Sequence, residues 1–136
     1  MGLYHLIYQS QSLVPFSRPE LLALLRQCWT YNRLHHVTGV LLYTPDGRFL
    51  QVLEGEESVV THLYYDRIVA DPRHHQGEVL GEGPCQQRSF ARWTMGFRTA
   101  QAHDLRELLA DRPSTRPELL EMLLEFAAPG QRKDYL

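Results

Sequence analysis

The sequence predicts an α+β fold: a ferredoxin-like sheet in the order β-α-β-β-α-β-β, with two helices on one face and a C-terminal two-helix cap on the other. Three observations carry this expectation. Residues 38–55, TGVLLYTPDGRFLQVLEG, place two strand-like runs on either side of the turn signal Thr44-Pro45-Asp46-Gly47. A stretch with helical apolar spacing lies before this hairpin and another after it. The opening segment, residues 3–10, is apolar on both faces, as a strand is when layers cover both sides of its sheet.

In residues 3–10, Tyr4, Leu6 and Tyr8 point one way and Leu3, His5 and Ile7 the other. Residues 11–16 are a loop. Ser17-Arg18-Pro19-Glu20 is a capping box with proline in the first turn. It opens a helix whose stripe is Leu21, Leu22, Leu25, Cys28 and Trp29, ending among residues 32–36. In the hairpin turn Pro45 presets φ and Gly47 takes the positive φ that closes the loop. Beyond it, Phe49, Gln51 and Leu53 share one face, while Arg48, Leu50 and Val52 share the other. Gln51 is the anomaly, because an unpaired amide on a buried apolar face costs about 1–3 kcal/mol.

Residues 56–70 predict a second helix. Glu56 and Glu57 suit its N-terminus, Val59, Val60, Leu63, Tyr64, Ile68 and Val69 form its stripe, and Asp71-Pro72 stops it. Residues 77–80 predict a short strand, residues 81–88 a loop, and residues 89–99 a last strand with Trp93, Met95 and Phe97 on one face. In the tail, residues 102–110 are a helical candidate. A second capping box, Thr115-Arg116-Pro117-Glu118, opens a helix over 119–127 that Pro129-Gly130 ends. Residues 1–100 thus predict the main domain and residues 101–136 a cap rather than an independent domain.

The composition is that of one ordinary globular domain: 136 residues, 43% hydrophobic and 22% charged. A net charge of −2 gives neither the footprint of a nucleic-acid binder nor a polybasic membrane patch. No run approaches the roughly 18 apolar residues of a membrane span. The N-terminus lacks a secretory pattern, so the cytoplasm is the expected location, and Cys28 and Cys85 are expected to be reduced. The pairs His35-His36 and His74-His75 lack metal-ligand spacing, and no metal is expected. Hydrolase and nucleotide-loop motifs are absent. Cys28, on an apolar stripe, is expected to be an inert core thiol.

In a ferredoxin-like order the first strand and the strand after the hairpin turn are central neighbours, so Tyr8 and Gln51 can sit side by side on the helix face. Asn32, ending the first helix, and Arg67, Asp71 and His74, ending the second, would lie at its rim. Each has a structural explanation when taken alone: a core tyrosine, a helix-end asparagine, a solvated charge. A ligand between the helices would be flat, apolar on its faces and hydrogen-bonding at its edges.

The segments LIYQS, NRLHHVTGVLLY, GRFLQVLEGEE, RIVADPRHH and RSFARWTMGF resemble, in order and spacing, the BLUF family of blue-light sensors using FAD. The resemblance implies a flavin-binding photosensory domain over residues 1–100 that is not an enzyme. By motif, Tyr8 resembles the family's photoactive tyrosine and Gln51 its switching glutamine. Asn32 resembles the asparagine that grips the flavin ring edge; Arg67, Asp71 and His74 match further flavin contacts, beside Phe49. Trp93 and Met95 match the pair that reports the switch to the surface. The span from Val52 to Arg67 is one residue longer than the family's usual pattern, around Tyr64-Tyr65-Asp66, and a bulge in the second helix would absorb it. The resemblance further implies FAD as cofactor, a downstream signalling protein or a homo-oligomer as partner, and no nucleic acid or membrane. A flavin-dependent enzyme and a ligand-free ferredoxin-like adaptor are the alternatives.

Overall fold

A computed structural model describes residues 2–72, 74–92 and 94–101, with residues 74–76 described in their backbone alone. The chain runs β1 (Leu3–Ser12), α1 (Arg18–His35), β2 (Thr38–Tyr43), β3 (Arg48–Glu56), α2 (Glu57–Thr61) continued by a π-helical segment (His62–Ile68), β4 (His74–Pro84) and β5 (Gly96–Thr99). The sheet order is β4-β1-β3-β2-β5. β1, β3, β2 and β4 pair antiparallel, and β5 joins parallel to β2. This is the expected ferredoxin-like order with one added strand.

The local signals act as their chemistry requires. Ser17 accepts from the Glu20 backbone N–H at 3.3 Å while the Glu20 carboxylate accepts from the Ser17 N–H at 2.7 Å, a closed capping box. At the other end of α1, His36 takes the left-handed conformation and returns its N–H to the Asn32 carbonyl. The hairpin turn closes with the Gly47 N–H on the Thr44 carbonyl at 2.9 Å, and Gly47 has φ 92°. Gly39 lets β2 pass close to β3: a Cβ there would lie 1.9 Å from the Val52 carbonyl oxygen.

Both sheet faces are buried. Leu6, Tyr8, Leu41, Phe49 and Leu53 join the core shared with α1 and the second helix, while Ile7, Leu42, Leu50 and Val52 are buried on the other face. The cap expected over residues 101–136 lies outside the described residues, apart from the exposed Gln101.

Three boundaries differ from the sequence expectation. β1 extends to Ser12, whose N–H and hydroxyl both bond the Gly47 carbonyl, so the loop is shorter than residues 11–16. β4 is much longer than residues 77–80. Gly81 and Gly83 interrupt its propensity, yet both pair with β1, opposite Ile7 and His5. The last strand starts only at Gly96, not residue 89. The buried Glu54 carboxylate accepts the Ser89 and Phe90 backbone N–H groups at 2.6 and 3.0 Å, taking them out of any ladder.

The second helix departs from regular α winding over His62–Ile68. After Thr61 it opens into π turns, and the Val69 N–H reaches back five residues to the Tyr64 carbonyl at 2.9 Å. Leu63, Arg67 and Asp71 from this segment and its end all lie on the cleft beside α1.

Candidate functional site

The sheet floor between the two helices is built from alternation on two adjacent strands. Tyr8 and Gln51 are direct partners in the β1–β3 ladder, so both project to the helix side. There they bond: Tyr8 Oη donates to Gln51 Oε1. Tyr8 is 2% exposed, and burial drives its phenol pKa well above 10, aided by the neighbouring Cys28, Tyr64 and Asp71. The phenol therefore stays protonated and acts as donor, which turns the glutamine carbonyl toward it. The other end of the amide is fixed in consequence: Gln51 Nε2 points at Met95 Sδ, 3.3 Å away. The amide that looked misplaced on an apolar strand has a partner on each side.

A cleft of about 140 Å³ opens above this pair. Leu41, Phe49 and Leu53 complete its floor. Leu24, Cys28, Tyr31 and Asn32 of α1 form one wall; Leu63, Arg67, Ile68 and Asp71 form the other. Arg67 lies over the Tyr31 ring at 4.6 Å, so a cation–π contact joins the two walls. Phe49 is fully buried and held edge-on by Phe16 at 5.3 Å. The enclosure is apolar on its faces, with amide, guanidinium and carboxylate groups at its edges.

The connector between β4 and β5 is tied to this site at two points. Trp29 Nε1 donates to the Met95 carbonyl at 2.9 Å, and Asn32 Nδ2 donates to the Thr94 carbonyl at 3.0 Å. Its earlier end is held by Glu54, whose carboxylate also accepts from the Thr38 hydroxyl, and by Arg88, which bonds the Thr38 hydroxyl at 2.8 Å and the Glu54 carbonyl at 3.1 Å. Burial raises the Glu54 pKa; the Ser89 and Phe90 N–H groups, Thr38 and Arg88 pull it down.

Of the residues expected at the site, Tyr8, Asn32, Phe49, Gln51, Arg67 and Asp71 line one cleft, and Met95 contacts Gln51. Asn32 is also committed to the connector rather than to the cleft alone. Trp93 and the side chain of His74 lie outside the described residues. Cys28 is not in a disulfide; it lies half-buried on the cleft wall rather than sealed in the core. The connector anchors Trp29 and Glu54 escaped the sequence reading. Both carry polar atoms on otherwise apolar patterns, the same anomaly that singled out Gln51.

A family model described as sensors of blue-light using FAD matches residues 3–96. Photoactivated adenylate cyclase subunit beta of Euglena longa is 34% identical over 124 residues, covering 90% of this chain and 14% of that protein. The Euglena gracilis protein of the same name matches over the same shares. The chain thus spans only about 14% of the length of these curated relatives. Among solved structures, the dark state of BlrB, a BLUF protein, superposes with a TM-score of 0.63 at 28% identity, covering 98% of this chain and 91% of that one. The photo-activated state of BlsA gives a TM-score of 0.68 at 27% identity, covering 91% and 93%. Klebsiella pneumoniae BlrP1 with FMN and cyclic diGMP gives 0.67 at 30% identity, covering 96% of this chain and 36% of that one.

Proposed function

The chain belongs to the BLUF family, sensors of blue light using FAD, and from that premise we propose that Tyr8 and Gln51 form its light switch, signalling to a partner protein or through a homo-oligomer. The observation that carries this reading is the run Tyr8 Oη to Gln51 Oε1, then Gln51 Nε2 to Met95 Sδ, at the floor of the cleft.

The residues present fit a flavin. The cleft offers apolar faces for a flat ring system, and its edges carry amides that can both donate and accept. Gln51, Asn32, Arg67, Asp71 and Phe49 would hold it, together with His74. When bound, the flavin supplies blue-light absorption and, once excited, a strong one-electron oxidant.

Tyr8 is the buried electron donor. Losing an electron makes a phenol strongly acidic, so its proton leaves along the hydrogen bond already made to Gln51 Oε1. Gln51 carries donor and acceptor on one planar group and can pass that proton on. When Tyr8 recovers its electron and proton, Gln51 is left rotated or tautomerised, with a changed hydrogen bond to the cofactor edge. Met95 then loses the Nε2 contact. Because Trp29 and Asn32 tie Met95 and Thr94 to α1, the change is delivered to the connector and to β5.

FAD is the proposed cofactor; BlrP1 with FMN supports a flavin in general. Enzymatic turnover is not proposed for this chain, and the cyclase named in the Euglena relatives is said of those proteins. A cytoplasmic location is proposed, and no described helix is long and apolar enough to cross a membrane. The purified protein, reconstituted with FAD, should be yellow and show a small reversible red shift under blue light. A colourless protein that rejects flavin would favour the adaptor, and substrate turnover the enzyme.

A further inference from the structure

The wall opposite α1 holds a second set of phenols that the switch does not use. Tyr64, buried on the π segment, places its ring 4.7 Å from that of Tyr8, tilted by 47°. Tyr65 follows edge-to-face at 4.9 Å and is 46% exposed. Tyr65 Oη donates to Glu82 Oε2, and Tyr4 Oη donates to the other Glu82 oxygen at 2.9 Å. A line of touching rings therefore leads from the buried Tyr8 to the surface, ending on a phenol with a carboxylate in place to receive its proton.

We propose that Tyr64 and Tyr65 form an electron-transfer exit through which oxidised Tyr8 is re-reduced from the surface, with a small one-electron reductant such as ascorbate as terminal donor. The proposal rests on Tyr8 being the electron donor to a bound flavin. Tyr8 first loses one electron to the light-excited flavin, which is the oxidant. Tyr65 then gives one electron to Tyr8 through the Tyr64 ring. The Tyr65 proton moves to Glu82, and Tyr8 regains its own proton from Gln51. The net change is one electron gained by the flavin, one lost by Tyr65 and one proton gained by Glu82. Ascorbate returns an electron to Tyr65, and Glu82 returns the proton.

The outward direction comes from the two proton acceptors. Tyr8 faces an amide carbonyl, a very weak base, whereas Tyr65 faces a carboxylate and water, so removing an electron with its proton is easier at Tyr65. In the dark the Glu82 hydrogen bond holds the Tyr65 pKa up at about 12, and its proton leaves only on oxidation.

The test uses the full flavin-loaded chain under continuous blue light, without oxygen and with ascorbate. The reversible red shift reads the parent assignment; ascorbate-dependent bleaching of the flavin, with mass-spectrometric mapping of a nitroso spin-trap adduct, reads the relay. The wild type should bleach and carry its adduct on Tyr65. Tyr65→Phe, at an exposed position, should keep the red shift yet bleach no faster than Tyr8→Phe. Tyr64→Leu should do the same with Tyr65 still present; if its buried site does not tolerate leucine, Tyr65→Phe decides alone. A wild type that does not bleach, wild-type bleaching in Tyr65→Phe, or an adduct confined to another tyrosine overturns the relay and leaves the switch standing. A red shift surviving Tyr8→Phe overturns the parent reading.

Discussion

Tyr8 donates its phenol hydrogen to Gln51 directly across the β1–β3 ladder, at a position where the two backbones are paired residues. The sheet register fixes this contact, so the geometry of the proposed switch is set by main-chain pairing rather than by a flexible loop.

Removing the phenol isolates one half of that contact. Tyr8→Phe should retain flavin and lose the reversible red shift, while stability falls by about 1–3 kcal/mol because Gln51 Oε1 is left buried without its donor. Difference spectroscopy and denaturant unfolding check both parts. Since burial holds the Tyr8 pKa above 10, the wild-type shift should keep its amplitude across neutral and mildly alkaline pH. An amplitude that titrates near neutrality would contradict the assignment.

Asn32 bonds the Thr94 carbonyl from the cleft wall. Asn32→Ala removes a hydrogen bond of about 0.5–1.5 kcal/mol and should weaken flavin retention up to about tenfold. Flavin dissociation followed by fluorescence measures it, and unchanged affinity would remove Asn32 from the binding set.

Trp29→Phe keeps an aromatic ring on α1 but deletes the donor to the Met95 carbonyl. Flavin binding should be unaffected, and stability should drop by about 0.5–1.5 kcal/mol. The lit state should return to dark faster, because Met95 is no longer held against its backbone anchor. Recovery at the wild-type rate would mean that Met95 is positioned by packing alone.

Glu54 gives a pH-dependent prediction. Its folded pKa lies above the ordinary value of 4.5, chiefly through burial. The folded state therefore binds the proton more tightly, and the contribution of Glu54 to stability is full below that value and declines as pH rises through the folded pKa. Unfolding free energies of wild type and Glu54→Gln, measured from weakly acidic to neutral pH, should differ in slope, with the wild type losing more as pH rises. Equal slopes would contradict the assignment.

Much of this was legible from the residues, for identifiable reasons. The hairpin, the capping box at Ser17 and the strand neighbours Tyr8 and Gln51 come from short-range chemistry and a strand period of two. A bulge in the second helix was expected near Tyr64, and the helix does turn π there. The connector was not legible. Residues 89–99 have the composition of a strand, but the Ser89 and Phe90 N–H groups are taken by Glu54, which is distant in sequence. Trp29 sat on an apolar stripe, and only its distant acceptor, the Met95 carbonyl, gives its N–H a role.

The central claim is that Gln51 carries the change from Tyr8 to Met95. The light-minus-dark absorption spectrum of flavin-loaded Gln51→Leu, beside the wild type, tests it most directly. A reversible red shift in the wild type and none in a variant that still binds flavin is the predicted result; a wild-type red shift with normal recovery in Gln51→Leu would contradict it.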